Sequence, residues 1–280
     1  MMMETVEQTS YFLNDQQMST KELEVFQQLE GKSVYEVIRV QQRIPLFLED
    51  HLERLRSSAA SVGMPLTVSD DILWQRIYRL ISLNDVENQN IKIIWNQKKE
   101  GVLLIFFTKS VYPPKESYVS GIHTSLLKLE RQDPTIKLQR ADYQQTVLKA
   151  REEKNAYEVL LVDQSDYVTE GSRSNLFIVK NGQLYTSPAK NVLLGIVRKK
   201  VLEICRTQGW KVVEEHLPAA QLDEIDGAFI TGTGNNVLPI HTIDELVLRS
   251  TEDPIVLTLI QKFDDLVTRY IHKHTANQSY

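Results

Sequence analysis

The sequence predicts an α+β protein of two domains, and three observations predict it. Short β-branched and aromatic stretches are interspersed with amphipathic ones without regular βαβ alternation, so a Rossmann sheet is not expected. The length of 280 residues suits about two domains. An aperiodic stretch with adjacent prolines, Ser110 to Ser120, reads as the linker, giving a first domain over 1–115 and a second over 116–280.

The elements follow in order. Ser33 to Val40, SVYEVIRV, reads as a strand that forms a hairpin with the apolar run IPLFL. Glu49 to Val62 carries Leu52, Leu55, Ala59 and Val62 at helical spacing, and Gly63 stops it ahead of Pro65. A second helix starts at Ser69, with Asp70 and Asp71 suited to its positive end, and runs to Leu83. Its inward residues are predicted to be Ile72, Leu73, Ile77, Leu80 and Ile81. Two strands, IKIIW and VLLIFF, flank the charged turn NQKKEG, in which Lys98 and Lys99 face solvent.

Beyond the linker the pattern predicts a strand at GIHTSLL, a helix from Asp142 to Lys154 and a strand at YEVLLVD. A hairpin with Asn181-Gly182 at its tip joins NLFIVK to QLYTS. A helix from Val197 to Gln208 ends at Gly209, WKVVEEH and GAFITGT are strands, and a last helix covers Pro254 to His272.

Composition narrows the function. Hydrophobic residues make up 42% and charged residues 25%, the balance of a globular chain. With 32 basic against 37 acidic side chains the net charge is −5, so nucleic acid is not an expected partner and small molecules are. The single cysteine, Cys205, reads as a buried helix residue. The six histidines lack metal-ligand spacing, so no metal is expected, and His51 reads as a helix-face residue. Trp74, Trp95 and Trp210 are core or interface candidates. The N-terminus is polar after its methionines, and the apolar run Val102 to Phe107 is too short to span a bilayer. A cytoplasmic address without membrane partners is the expectation.

Five short pieces carry the chemistry: HLERL at 51–55, DPTIK at 133–137, TEGSRSNLF at 169–177, LLGIVRK at 193–199 and TGTGNNVLPI at 231–240. Gly195-Ile196-Val197 leads into a helix, whose N–H groups suit an anion. Thr233, between Gly232 and Gly234, offers a hydroxyl where the backbone can approach a ligand closely. Arg54 offers a guanidinium fork suited to phosphate oxygens. Gly232 to Gly234 is not a dinucleotide fingerprint. A phosphate cup with a lysine in an apolar-flanked stretch, Lys137, and a carboxylate, Glu170, points to pyridoxal phosphate.

In order and spacing these motifs resemble the class IV pyridoxal-phosphate enzymes: branched-chain and D-amino acid aminotransferases and 4-amino-4-deoxychorismate lyases. The resemblance covers about Val34 to Ile240. It implies the two-domain α+β fold-type IV, with the cofactor between domains, and a homodimer. It also implies that Lys137 is the Schiff-base lysine and Glu170 the partner of the pyridine nitrogen. Arg54, Ile196, Val197 and Thr233 are then phosphate ligands, Ile196 and Val197 through their backbone N–H groups. Tyr35 and Gly234 become substrate contacts.

The chain departs from the family pattern in four places, one of them the region shortly after Lys137, where Asp142 and Tyr143 stand instead of the family's frequent aromatic or leucine. The usual LPGIT or LKGIT is LLGIV, so Val197 brings a backbone donor without a hydroxyl. The usual GDG is replaced by Glu30-Gly31-Lys32, and no Arg-x-His carboxylate trap lies between Lys98 and Lys115. The expected reaction is amino transfer between an amino acid and a 2-oxo acid. The alternatives are lysis of aminodeoxychorismate to 4-aminobenzoate and pyruvate, or phosphate-ligand binding without catalysis.

Overall fold

The computed structural model describes residues 4–97 and 101–276, so Lys98 and Lys99 lie outside the described residues. The chain divides into two compact units. The first comprises the chain up to Val111, the short piece Ile136–Ala141 and the chain from Val267 onward; the second comprises Tyr112–Thr135 and Asp142–Leu266. The segment bearing Lys137 thus belongs to the first unit.

That unit contains β1 (Val6–Leu13), β2 (Gln16–Ser19), α1 (Glu24–Gln27), β3 (Ser33–Gln41), β4 (Ile44–Pro45), α2 (Leu48–Ser61), α3 (Asp70–Asn84), β5 (Gln89–Asn96) and β6 (Val102–Thr108). Among the described residues its strands form one antiparallel sheet in the order β2-β1-β6-β5-β3-β4. Side chains alternate across a strand, so one face of β3 carries Val34, Glu36, Ile38 and Val40, all buried. This face packs with Leu48, Leu52 and Leu55 of α2 and Leu73, Ile77 and Leu80 of α3. The other face builds a second cluster from Tyr11, Phe26, Ile94, Leu104 and Phe106, with Tyr35 against it. Both faces of β5 and β6 are covered, which is why they read as unbroken apolar runs.

Three sequence expectations need correction here. Ile72 is 41% exposed. It falls on a stripe with Arg79 and Leu83, also exposed, beside the arc formed by Leu73, Ile77 and Leu80. The second arm of the first hairpin is only Ile44–Pro45, because Phe47 enters the left-handed region (φ 52°) and Leu48 already opens α2. The N-terminal segment, read as merely polar, forms β1. A register irregularity between Glu7 and Phe12, with Gln8 at φ 70°, interrupts its alternation.

The second unit contains α4 (Ser117–Ser120), β7 (Ile122–Lys128), α5 (Ala141–Glu153, from Asp142 onward), β8 (Glu158–Val162), β9 (Tyr167–Gly171), β10 (Asn175–Lys180), β11 (Gln183–Thr186), α6 (Ile196–Thr207), β12 (Val212–Glu214), β13 (Leu217–Pro218), β14 (Gly227–Gly232), β15 (Asn236–Ile243), β16 (Leu246–Val247) and the start of α7 (Pro254–Ala276). Its sheet runs β12-β11-β10-β14-β15-β7-β8-β9-β13, with β16 on β15. The pairs β11–β12, β15–β7 and β7–β8 are parallel and the others antiparallel. Asn181 and Gly182, at φ 52° and 70°, make the tight turn between β10 and β11 that their identities predicted. Phe177 and Phe229 stack 5.0 Å apart across β10 and β14. The mixed sheet and helices bear out the α+β class. No described helix is long and apolar enough to cross a membrane.

The two neighbours on α3 test this packing. Leu73→Ala should lower the unfolding free energy by about 2–5 kcal/mol, whereas Ile72→Ala should change it by less than about 1 kcal/mol, both measured by urea unfolding.

Candidate active site

In the first unit, Lys137 is positioned by backbone pairing to β3. The Tyr35 N–H donates to the Lys137 carbonyl (3.1 Å) and the Gln139 N–H donates to the Ser33 carbonyl (3.0 Å). The bridge between Val34 and Leu138 lies between these bonds. The Lys137 N–H donates to Ser58 Oγ on α2 (3.3 Å). The side-chain amine of Lys137 then lies 4.8 Å from the centre of the Tyr35 ring.

The opposite face of β3 holds a buried ionic cluster. Glu36 has no exposed surface. Its carboxylate accepts from Arg54 Nε (2.7 Å), Arg54 Nη2 (2.7 Å) and His51 Nδ1 (2.8 Å). His51 and Arg54 lie three residues apart on α2 and therefore on one face of it. Burial alone would raise the Glu36 pKa, but the Arg54 charge and the bonds from Arg54 and His51 outweigh it and hold it at about 2. Burial lowers the pKa of His51, with Glu36 opposing it and the Arg54 and Lys137 charges acting the same way as burial.

In the second unit, Glu170 lies near the end of β9, buried. Its Oε2 accepts from Asn175 Nδ2 (3.2 Å) and from the Leu193 N–H (3.2 Å), and Arg131 Nη1 lies 3.4 Å from its Oε1. Asn175 Nδ2 also donates to the Leu193 carbonyl (2.7 Å), so one amide ties the carboxylate to the loop before α6. A Cβ at Gly195 would fall 2.1 Å from Asn175 Oδ1, and glycine is therefore required there. Ile196 and Val197 open α6, which no side chain among the described residues caps at its N-terminus. This leaves the helix start suited to an anion.

Thr233 and Gly234 lie in the turn between β14 and β15, closed by the Asn235 N–H donating to the Gly232 carbonyl (3.0 Å). Two tyrosines fix this turn. The Tyr118 hydroxyl donates to the Asn235 carbonyl (3.0 Å) and the Tyr157 hydroxyl to Asn235 Oδ1 (2.8 Å). Thr231, directly across from Asn175 in the β10–β14 register, has a buried hydroxyl without a hydrogen-bond partner among the described residues.

Within the first unit the fold therefore brings together Lys137 and Tyr35, with Arg54 clamped on the other side of β3. Within the second it links Glu170 to the segment leading into Ile196 and Val197.

A family description, class IV amino-transferase, matches residues 33–243 of the chain. The chain belongs to the class IV aminotransferases. Among its relatives in this family, the D-alanine aminotransferase of Bacillus licheniformis is 28% identical over 238 residues, covering 76% of this chain and 80% of the relative. The branched-chain-amino-acid aminotransferase of Pseudomonas aeruginosa is 27% identical over 266 residues, covering 87% of each. The Escherichia coli branched-chain aminotransferase structure shares the fold with a TM-score of 0.83 at 22% identity, covering 93% of this chain and 95% of that one.

Sequence reasoning missed several groups around the candidate site. Glu36 was detectable as a charge among the buried alternate positions of SVYEVIRV, and Asn175 lay in a quoted motif without a role. Arg131 gave no local signal. His51 is more than a helix-face residue, since it is sealed against Glu36. Cys205 is buried as expected, and burial pushes its thiol up to about 11. Among the described residues no group of acidic, histidine or cysteine side chains is arranged to hold a metal.

Glu36 predicts an acid sensitivity with a defined sign. Its pKa is lowered by folding, so its stabilisation is present above the ordinary value of 4.5 and is lost as pH falls toward about 2. Glu36→Gln should cost about 3–5 kcal/mol at pH 7 by leaving Arg54 without its carboxylate. The gap between the two proteins in chemical denaturation should then narrow as pH is lowered through that window.

Proposed function

We propose that this class IV enzyme is a pyridoxal-phosphate-dependent aminotransferase moving an amino group between an amino acid and a 2-oxo acid, with branched-chain-like or D-amino-acid-like substrates, as a cytoplasmic homodimer. The observation that carries the reading is Lys137, held to the edge of β3 with its amine over the Tyr35 ring.

The residues present fit the cofactor. The N–H groups at the uncapped start of α6 suit a phosphate, and the Thr231 hydroxyl, across from Asn175 and without a hydrogen-bond partner among the described residues, offers a further polar group. When bound, pyridoxal phosphate supplies an aldehyde for amine exchange and an electron-accepting ring. Lys137 Nζ would hold the cofactor, and the same amine, when free, would take the proton from the substrate α-carbon. Glu170, fixed by Asn175 and the Leu193 N–H, holds a proton on the ring nitrogen. The N–H groups of Ile196 and Val197, the hydroxyl of Thr233 and the guanidinium of Arg54 bind phosphate. Glu36 fixes the orientation of that guanidinium. At Val197 the grip rests on the backbone alone, since valine brings no hydroxyl. Tyr35 and Gly234 contact the substrate.

A half-reaction screen followed by cofactor absorbance tests the reading. The holoenzyme mixed with L-leucine, L-glutamate or D-alanine should convert to the aminated cofactor with at least one donor, and Lys137→Ala should lose both the protein-linked absorbance and turnover. Pyruvate release from aminodeoxychorismate without an acceptor would replace the transaminase reading with the lyase. A protein that stays colourless with added pyridoxal phosphate would contradict both.

A further inference from the structure

A second lysine lies beside the same ring as Lys137. Lys92 is buried on β5, between β3 and β6, and its ammonium group lies 5.0 Å from the centre of the Tyr35 ring. Register explains the placement. Lys92 stands opposite Val37 and Ile94 opposite Tyr35, so Tyr35, Val37, Lys92 and Ile94 share one face of the sheet. Lys137 and Gln139 pair with the odd-numbered residues of β3 and belong to that face as well.

A buried ammonium group needs an anion, and here the anion is Glu4. Its Oε1 lies 2.5 Å from Lys92 Nζ and accepts from Gln139 Nε2 at 2.6 Å. A cation and an amide N–H converging on one oxygen are the donors that any small carboxylate requires. Among the described residues Gln139 Oε1 is buried without a hydrogen-bond partner. Glu4 precedes β1 and reaches the spot from the start of the chain, whereas Lys92 and Gln139 are built into the sheet and its paired edge.

We propose that Lys92 and Gln139 form a carboxylate subsite of the substrate pocket and that Glu4 is a tethered carboxylate occupying it, which the carboxylate of the substrate displaces. The inference rests on the reading of Lys137 as the reacting lysine. It also gives the chain a carboxylate anchor in place of the absent Arg-x-His pair. A tethered carboxylate weakens each ligand whose own carboxylate must displace it from Lys92, and removing its charge strengthens those ligands alone.

The test compares 4-methylvalerate with its uncharged amide by calorimetry on the full-length protein incubated with pyridoxal phosphate. Glu4→Gln should tighten binding of the carboxylate about fivefold or more and leave the amide unchanged. Lys92→Met should abolish the preference for carboxylate over amide, Lys92→Arg should retain it, and Glu4→Gln should have no further effect in the Lys92→Met protein. Weaker or unchanged carboxylate binding in Glu4→Gln, or a preference that survives Lys92→Met, would overturn the proposal. Cofactor absorbance on the same samples reports separately on the aminotransferase reading, because carboxylate affinity is measured whether or not the cofactor is taken up.

Discussion

Two backbone hydrogen bonds between the edge of β3 and the residues around Lys137 are the constraint on which the first unit's half of the site depends. Side chains alternate along a strand, so this pairing decides which residues meet the amine and which do not. Tyr35 faces it. Glu36, the next residue, turns to the opposite side and captures Arg54 and His51. A slip of one residue would exchange these roles, placing a carboxylate beside the amine and an aromatic ring beneath the arginine. The buried alternation of Val34, Ile38 and Val40 against α2 and α3 opposes such a slip.

Charge is handled locally, and the net value of −5 conceals this. Glu36 is buried beneath a guanidinium and an imidazole, an arrangement that holds it ionised and fixes the arginine by two bonds instead of leaving it to swing. Glu170 is treated differently. It is held by a side-chain amide, a backbone N–H and Arg131, and the same amide reaches the loop that starts α6. Moving Asn175 would therefore disturb a carboxylate and a helix N-terminus together.

Much of this was legible in the sequence. Lys137 stood out because an apolar-flanked lysine recurred in order with a glutamate motif, a glycine-led helix and a glycine-threonine turn. Most helices and strands followed from periodicity and from stops such as Gly63 and Gly209. What stayed hidden depended on tertiary context. Ile72 has the right residue type on the wrong side of its helix, and an interrupted register masks the alternation of β1. Glu36 and Lys92 were visible as charges within apolar strands, but their partners, Arg54, His51 and Glu4, come from distant parts of the chain that only folding brings near. Asn175 acts through Leu193, a contact that no local pattern encodes.

The presence of two lysines beside one tyrosine makes the central assignment open to a direct measurement. Reduction of the pyridoxal-phosphate-loaded protein with borohydride, followed by proteolysis and peptide mass analysis, locates the lysine that carries the cofactor. The account predicts the phosphopyridoxyl group on the peptide containing Lys137 and on no other. A label on Lys92, or one spread over surface lysines, would contradict it.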